Sequence, residues 1–173
     1  MIQKRVSFVL WYNSLSDDEK RCIVWVDEHG FNLWSVQHRA RAKQGLKTSV
    51  QVATTKGRNV TVILAVSPYG KVFMIPLDHA TNSETFNSFL VYMKSQWINM
   101  KQIPEQKKGP IVVLDNLSAH NCDELKKTRH QWLPPYSPFL NLAEPINGDH
   151  KKGIRKLLRY YKSIPNYLEQ LQR

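Results

Sequence analysis

The chain is expected to fold as α/β, a mixed sheet flanked by helices, and three observations predict it. Short β-branched runs (CIVWVDE, NVTVILAVS, KVFMIPLD) alternate with turn residues through the first half. An amphipathic helical pattern follows, and after it a further buried run, PIVVLDN, arrives as a parallel-sheet strand would. A basic helical stretch closes the sequence. Antiparallel strands first and a helix-linked strand later place helices over a mixed sheet, although the order alone does not select one fold.

Residues 5–20 read as a helix ending near Asp17, Asp18 and Glu19. Residues 21–27 read as the first strand, Gly30 as a turn, and FNLWSVQ as the return strand, so 21–37 has the pattern of a hairpin. HRARAKQGLK is a loop of low apolar content. Two more strands are expected at about 60–66 and 71–76, with turns at Lys56-Gly57 and Pro68-Tyr69-Gly70. From Ser83 the period changes: Phe86, Phe89, Leu90, Met93 and Trp97 recur at three and four residues, the apolar face of a helix. IPEQKKGP is a loop, IVVLD a buried strand, CDELKKTRH a short polar helix, QWL a further strand and PPYSPFLN a rigid turn. EPINGDHKKGIRKLLRYYKS reads as a basic helix with Leu157, Leu158 and Tyr161 on one face. Pro165 ends it before a short helix at 166–172. Trp25, Trp34, Trp97 and Trp132 are read as core.

A chain of 173 residues has room for one domain with a sizeable core. No apolar run approaches the roughly 20 residues that span a bilayer, so no membrane partner is expected. Nor does the start resemble a secretory signal. Cys22 and Cys122 are too few and too far apart for a disulfide or zinc framework. Lysine and arginine number 25 against 14 acidic residues, a net charge of +11. Such an excess favours a polyanion, because each neutralised phosphate releases counterions. A basic face kept only for solubility is the alternative.

Three acids end apolar or turn-rich stretches: Asp27 after CIVWV, Asp115 after PIVVL, and Glu144 after LPPYSPFLNLA. Each has a structural alternative. Asp27 fits a hairpin turn, Asp115 fits a helix N-cap, and Glu144 before Pro145 fits a helix start. Carboxylates converging beside a core repel one another unless cations lie between them. Mg²⁺ takes such hard oxygen ligands and completes its shell with substrate phosphates. Metal-dependent phosphoryl transfer is the resulting expectation.

DEHGFNLW, GRNVTVILAVSPYG, LDNLSAH and above all LPPYSPFLNLAE resemble the catalytic domain of DDE transposases of the mariner superfamily. The family's pattern is Asp-Glu after a first strand, Asp-Asn-x-x-x-His after a later one, and Leu-Pro-Pro-Tyr-Ser-Pro-x-Leu-Asn before the third acid. The resemblance covers about residues 20–155. It implies a ribonuclease-H-like fold, with Asp27, Asp115 and Glu144 as catalytic acids holding two Mg²⁺ or Mn²⁺ ions. The implied activity is cleavage of double-stranded DNA at transposon ends and strand transfer into target DNA, in the nucleus of a eukaryote or otherwise in the cytoplasm. Asn116 and His120 would orient the site or contact phosphate. Arg39, Arg41, Lys43 and Lys47 match a basic loop of the family, and Lys151, Lys152, Arg155, Lys156 and Arg159 form a second basic group; both are expected on DNA. The proline-tyrosine segment, with Leu140 and Asn141, would fix the path that delivers Glu144.

Departures from the pattern are also present. The interval from Asp115 to Glu144 is shorter than usual, LNLAE replaces Leu-Asn-Pro-Ile-Glu, and Asn147 stands at a commonly aromatic position. Asp149 is a second-rank substitute acid. No helix-turn-helix pattern precedes residue 20, so residues 1–173 are expected to form one catalytic domain, with a homodimer compatible. The rival readings are a decayed or domesticated copy that binds DNA without cutting it, and a plain nuclease on the same fold.

Overall fold

The computed structural model describes residues 2–32, 43–45, 59–68, 72–98 and 109–162. Its N-terminal stretch makes two helices where one was expected, α1 (Ile2–Ser14) and α2 (Asp17–Arg21). Ser16 is the reason. Its Oγ accepts from the Glu19 N–H at 3.2 Å, while the Glu19 carboxylate accepts from the Ser16 N–H at 3.0 Å. This reciprocal capping box starts a new helix, and Asp17, Asp18 and Glu19 occupy its first turn, where the helix dipole favours them.

The expected hairpin at 21–37 is replaced by one long strand, β1 (Ile23–Asn32). Gly30 lies within it, opposite Thr61, and a Cβ there would meet only the Val60 carbonyl oxygen at 3.9 Å. Nothing at Gly30 turns the chain. The antiparallel partner of β1 is β2 (Asn59–Val66), in register from Trp25↔Val66 to Asn32↔Asn59. β3 (Val72–Leu77) pairs antiparallel to β2. Residues 33–37 of the expected return strand, Trp34 and the Lys56-Gly57 turn lie outside the described residues, as do Tyr69, Gly70 and the expected 166–172 helix.

α3 (Ser83–Ile98) buries the predicted face: Phe86, Leu90, Met93 and Trp97 are fully buried and Phe89 nearly so. The chain then enters β4 (Ile111–Leu114), parallel to β1, crosses α4 (Asp123–Lys126), and returns as β5 (His130–Trp132), parallel to β4. The sheet order is β3-β2-β1-β4-β5. All four residues of β4 are buried, as a strand covered on both faces should be. Trp25 and Trp97 are core residues and Trp132 packs at the core margin. Both cysteines are free and buried.

α5 (Ala143–Lys162) follows a 3₁₀ turn at Pro138–Leu140. At its start, the stripe packed inward is Ala143, Ile146 and Asn147, not the Leu157 face expected from sequence; Leu157 is 58% exposed. The side chains of Leu158 and Tyr161 lie outside the described residues.

Candidate active site

Parallel pairing sets β1 and β4 level through Ile23↔Ile111, Val24↔Val112 and Trp25↔Val113. The same register carried two residues further brings Asp27 opposite Asp115, just past the end of β4. Asp27 is not at a hairpin turn. It sits in mid-strand opposite Leu64, flanked by buried Val26. Its Oδ1 accepts from the Glu28 N–H at 2.9 Å and its Oδ2 accepts from Asn147 Nδ2 at 2.8 Å. Burial pushes the Asp27 carboxyl up from 3.8 to about 7, and the charge of Glu144 is the next largest contribution, with Glu28 and Asp115 adding to it. Glu144 and Asp115 therefore both lie near enough to Asp27 for their charges to act on it.

Glu144 reaches that region along a pinned path. Trp25 Nε1 donates to the Leu140 carbonyl at 3.2 Å, and Asn141 Oδ1 accepts from the Ala143 N–H at 3.0 Å, capping α5. Leu140 and Asn141 anchor the segment as expected. Arg5 of α1 anchors it too: its guanidinium donates to Ser137 Oγ at 2.9 Å and to the Tyr136 carbonyl at 2.8 Å, and lies 5.1 Å from the centre of the Phe139 ring. Glu144 falls in the first turn of α5, where the positive end of the helix dipole favours a carboxylate.

Because strand residues alternate between faces, Glu28 points away from Asp27. It meets His120, whose Nε2 lies 2.8 Å from Glu28 Oε1. His120 Nδ1 donates to the Asp115 carbonyl at 2.9 Å and lies 3.2 Å from Asp115 Oδ1. Burial lowers the basicity of this imidazole, but the hydrogen bond and charge of Glu28 and the contact with Asp115 outweigh it, and the net shift is upward. With both ring nitrogens facing oxygen acceptors, His120 ties the β1 acid Glu28 to the Asp115 turn. Glu28, Asp115 and His120 offer ligand atoms within 4.8 Å of one another. Even so, with Nδ1 committed to a carbonyl and Nε2 to a carboxylate, the ring is a clamp and not a cation ligand. The expectation that His120 touches DNA phosphate is corrected here: the ring is fully buried and cannot reach a phosphate. Burial also raises the Asp115 carboxyl, with Glu28 adding to it and His120 opposing.

Glu28, His29, Asn147 and His150 were not singled out as site residues from sequence. DEH in the middle of a buried run was the available signal, since three polar residues inside a strand need partners. His29 Nε2 lies 2.8 Å from His150 Nδ1, and burial, helped by His150 and Lys151, lowers His29 to about 4, so it is neutral. Asn116 is exposed beside Asp115. Lys43, Lys152, Arg155 and Lys156 are exposed and Lys151 half-buried, while Arg39, Arg41, Lys47 and the side chain of Arg159 lie outside the described residues. Asp149 points to solvent and pairs with Lys152 at 2.9 Å.

A mixed sheet in this order, with one acid within its central strand and another just past the end of the adjacent parallel strand, is a ribonuclease-H-like fold. Residues 22–166 match the DDE superfamily endonuclease family, and the chain belongs to it. Similar solved structures include a Mos1 mariner paired end complex with Mn (TM-score 0.67, 14% identity, covering 87% of this chain and 46% of that one). A Mos1 mariner paired end complex with Mg gives a TM-score of 0.62 at 14% identity, covering 95% and 54%. The catalytic domain of Mos1 mariner transposase gives 0.55 at 14%, covering 98% and 77%. The chain thus spans about half the length of the chains in the two complexes. No curated protein matches it.

Proposed function

We propose that this domain cleaves DNA strands and joins them to target DNA, using two Mg²⁺ or Mn²⁺ ions held by Asp27, Asp115 and Glu144. The observation that carries the reading is the state of Asp27, raised to about 7 by burial and by Glu144, Glu28 and Asp115. Such mutual repulsion is what a site built for added positive charge shows before that charge arrives. Among the described residues, no lysine or arginine pairs with Asp27 or Glu144. The donors are all carboxylate oxygens, as hard divalent cations require. When bound, the ions neutralise the attacking and leaving oxygens of an in-line phosphoryl displacement.

The protein's own part is positioning. β1 and β4 present two acids from level strands, the Trp25- and Arg5-anchored segment brings the third, and His120 fixes the Asp115 turn. Asn116, exposed beside Asp115, faces the approaching phosphate. Lys151 and Arg155, which with Gly30, Phe31 and Asn32 line a cleft at the far end of β1, hold the DNA backbone, joined by Lys43, Lys152 and the basic loop 39–47. The similar Mos1 structures are paired end complexes, which supports transposon-end DNA as the substrate class and a homodimer as the assembly. The setting proposed with it is the nucleus if the host is eukaryotic and the cytoplasm otherwise.

The test is cleavage of transposon-end DNA with Mg²⁺ or Mn²⁺. Wild type should nick and strand-transfer only with metal, and Asp115→Ala should do neither. Equal nicking by the two proteins would refute the assignment, and hydrolysis without strand transfer would reduce it to a nuclease. A separate expectation concerns Lys151→Ala with Arg155→Ala. Loss of two phosphate contacts should weaken DNA binding for all sequences alike and flatten the log K against log salt slope by about 2. An unchanged slope in a salt titration would remove this helix from the DNA surface.

A further inference from the structure

Asn147 has an unusual position for an amide. It is 3% exposed, on the inward stripe of α5, with Nδ2 donating to Asp27 Oδ2 at 2.8 Å. With the NH₂ group donating to Asp27 Oδ2, the amide oxygen must point away. That oxygen is buried without a hydrogen-bond partner, and so is His29 Nδ1. The Asn147 side chain lies close enough to His29 to act on its ring. One bond between these two atoms would satisfy both, and burial without it is costly for each.

The tautomers then follow. His29 Nε2 faces a ring nitrogen of His150 at 2.8 Å and Nδ1 is buried without a partner, so hydrogen bonding decides where the His29 ring proton sits. If that proton is on Nδ1, it is donated to Asn147 Oδ1, and His29 Nε2 accepts from His150 Nδ1 across the 2.8 Å contact. If the proton were on Nε2, both buried atoms would stay unsatisfied. The two rings meet edge to face at 4.9 Å, which keeps the Nε2–Nδ1 bond in line. Every link of the first arrangement donates in one direction, from His150 through His29 and Asn147 to Asp27.

We infer that Asn147 is the positioning residue for the Asp27 carboxylate, held in its donating orientation by a hydrogen-bond chain running from His150 through His29. The inference rests on the reading that Asp27 holds a cation. It adds the element that aims the carboxylate: Oδ2 keeps one lone pair on Asn147 and presents the other outward. Partners behind a metal-holding carboxylate typically change metal affinity by about 10- to 100-fold when removed.

The experiment measures Mn²⁺ binding to the DNA-free protein by electron paramagnetic resonance of the free ion, with urea unfolding in EDTA alongside. Asn147→Leu puts an apolar side chain of similar size in place of the amide, removing the donor to Asp27 Oδ2 and leaving His29 Nδ1 without its partner. It should still fold in EDTA, with lower stability than wild type, and bind Mn²⁺ about tenfold or more weakly. His29→Phe should weaken Mn²⁺ a few-fold alone and add nothing to Asn147→Leu, because both break one chain. If Asn147→Leu does not fold, Asn147→Ala removes the donor without bulk and carries the same expectation for affinity. Wild-type affinity in a folded Asn147 variant overturns the inference alone. Additive losses from His29→Phe and Asn147→Leu overturn the chain behind Asn147. Absence of Mn²⁺ binding by the wild type overturns the metal reading, and this inference with it.

Discussion

Asp27→Asn is expected to abolish metal-dependent cleavage and, at the same time, to stabilise the metal-free protein. The first effect follows from losing a cation ligand at the centre of the site; even a displacement of about 1 Å can cost a hundredfold in rate, and removal of the charge should cost more. The second follows from the Asp27 carboxyl, which moves from 3.8 to about 7 on folding. Below pH 4 the group is protonated in both the folded and unfolded chain and contributes nothing. Above 4 the unfolded chain releases the proton while the folded one keeps it, so stability falls as pH rises, until the folded group also ionises near 7. Across that window the loss is on the order of 2–4 kcal/mol, the lower figure allowing for the solvent that still reaches the carboxylate. An asparagine has no such penalty, and its carbonyl oxygen can still accept from Asn147. Urea unfolding in EDTA at pH 5 and pH 8 should show the variant gaining on wild type as pH rises. Equal pH dependence in the two proteins would mean that Asp27 is not the strained acid.

The same Asp27 shows how far the sequence could be read. The strand carrying Asp27, though not its end, the helix from Ser83 and the strand ending before Asp115 were legible because burial leaves a period in the sequence: β-branched runs for strands covered on both faces, and three-four spacing for the helix. The hairpin at Gly30 was not borne out because glycine is compatible with a turn but does not cause one. What decides is the partner, and Thr61 of β2, well outside any local window, pairs with Gly30 and holds the strand straight. The break between α1 and α2 was legible in principle, since Ser16 and Glu19 spell a capping box, but the apolar run before it masked the cap. Within the site, the three acids were proposed from the motif, whereas the residues that contact them were not. Glu28 and His120 stand 92 residues apart, and Asn147 lies 120 from Asp27. Hydrogen bonds of that span leave no local pattern. The family's pattern made Asn147 look like a missing aromatic, and only the fold shows it donating to the first acid.

His120→Phe should be the most destabilising single change in the site, at about 3–5 kcal/mol. The ring shape would still suit its neighbour, since Phe86 packs against the imidazole with centroids 4.3 Å apart. The loss is electrostatic. Glu28, whose side chain is 12% exposed, would be left with no cation beside it, and the Asp115 carbonyl would lose its donor. Removing both charges should therefore hurt less than the sum of the two single changes: Glu28→Gln combined with His120→Phe is expected to recover at least about 1 kcal/mol of that sum. The pH dependence has a definite sign. His120 holds its proton more tightly when folded than its ordinary 6.5, so its stabilisation is complete below 6.5 and disappears as pH rises through the folded value. The gap between wild type and His120→Phe should accordingly narrow on the alkaline side, opposite in direction to the Asp27→Asn gap, which widens from pH 4 to 7. Urea titrations of the three variants in EDTA at pH 6 and pH 9 measure all of this. A loss below about 1 kcal/mol, or strict additivity with Glu28→Gln, would show that the imidazolium does not hold the two acids, and that the Asp115 turn owes its position to the backbone alone.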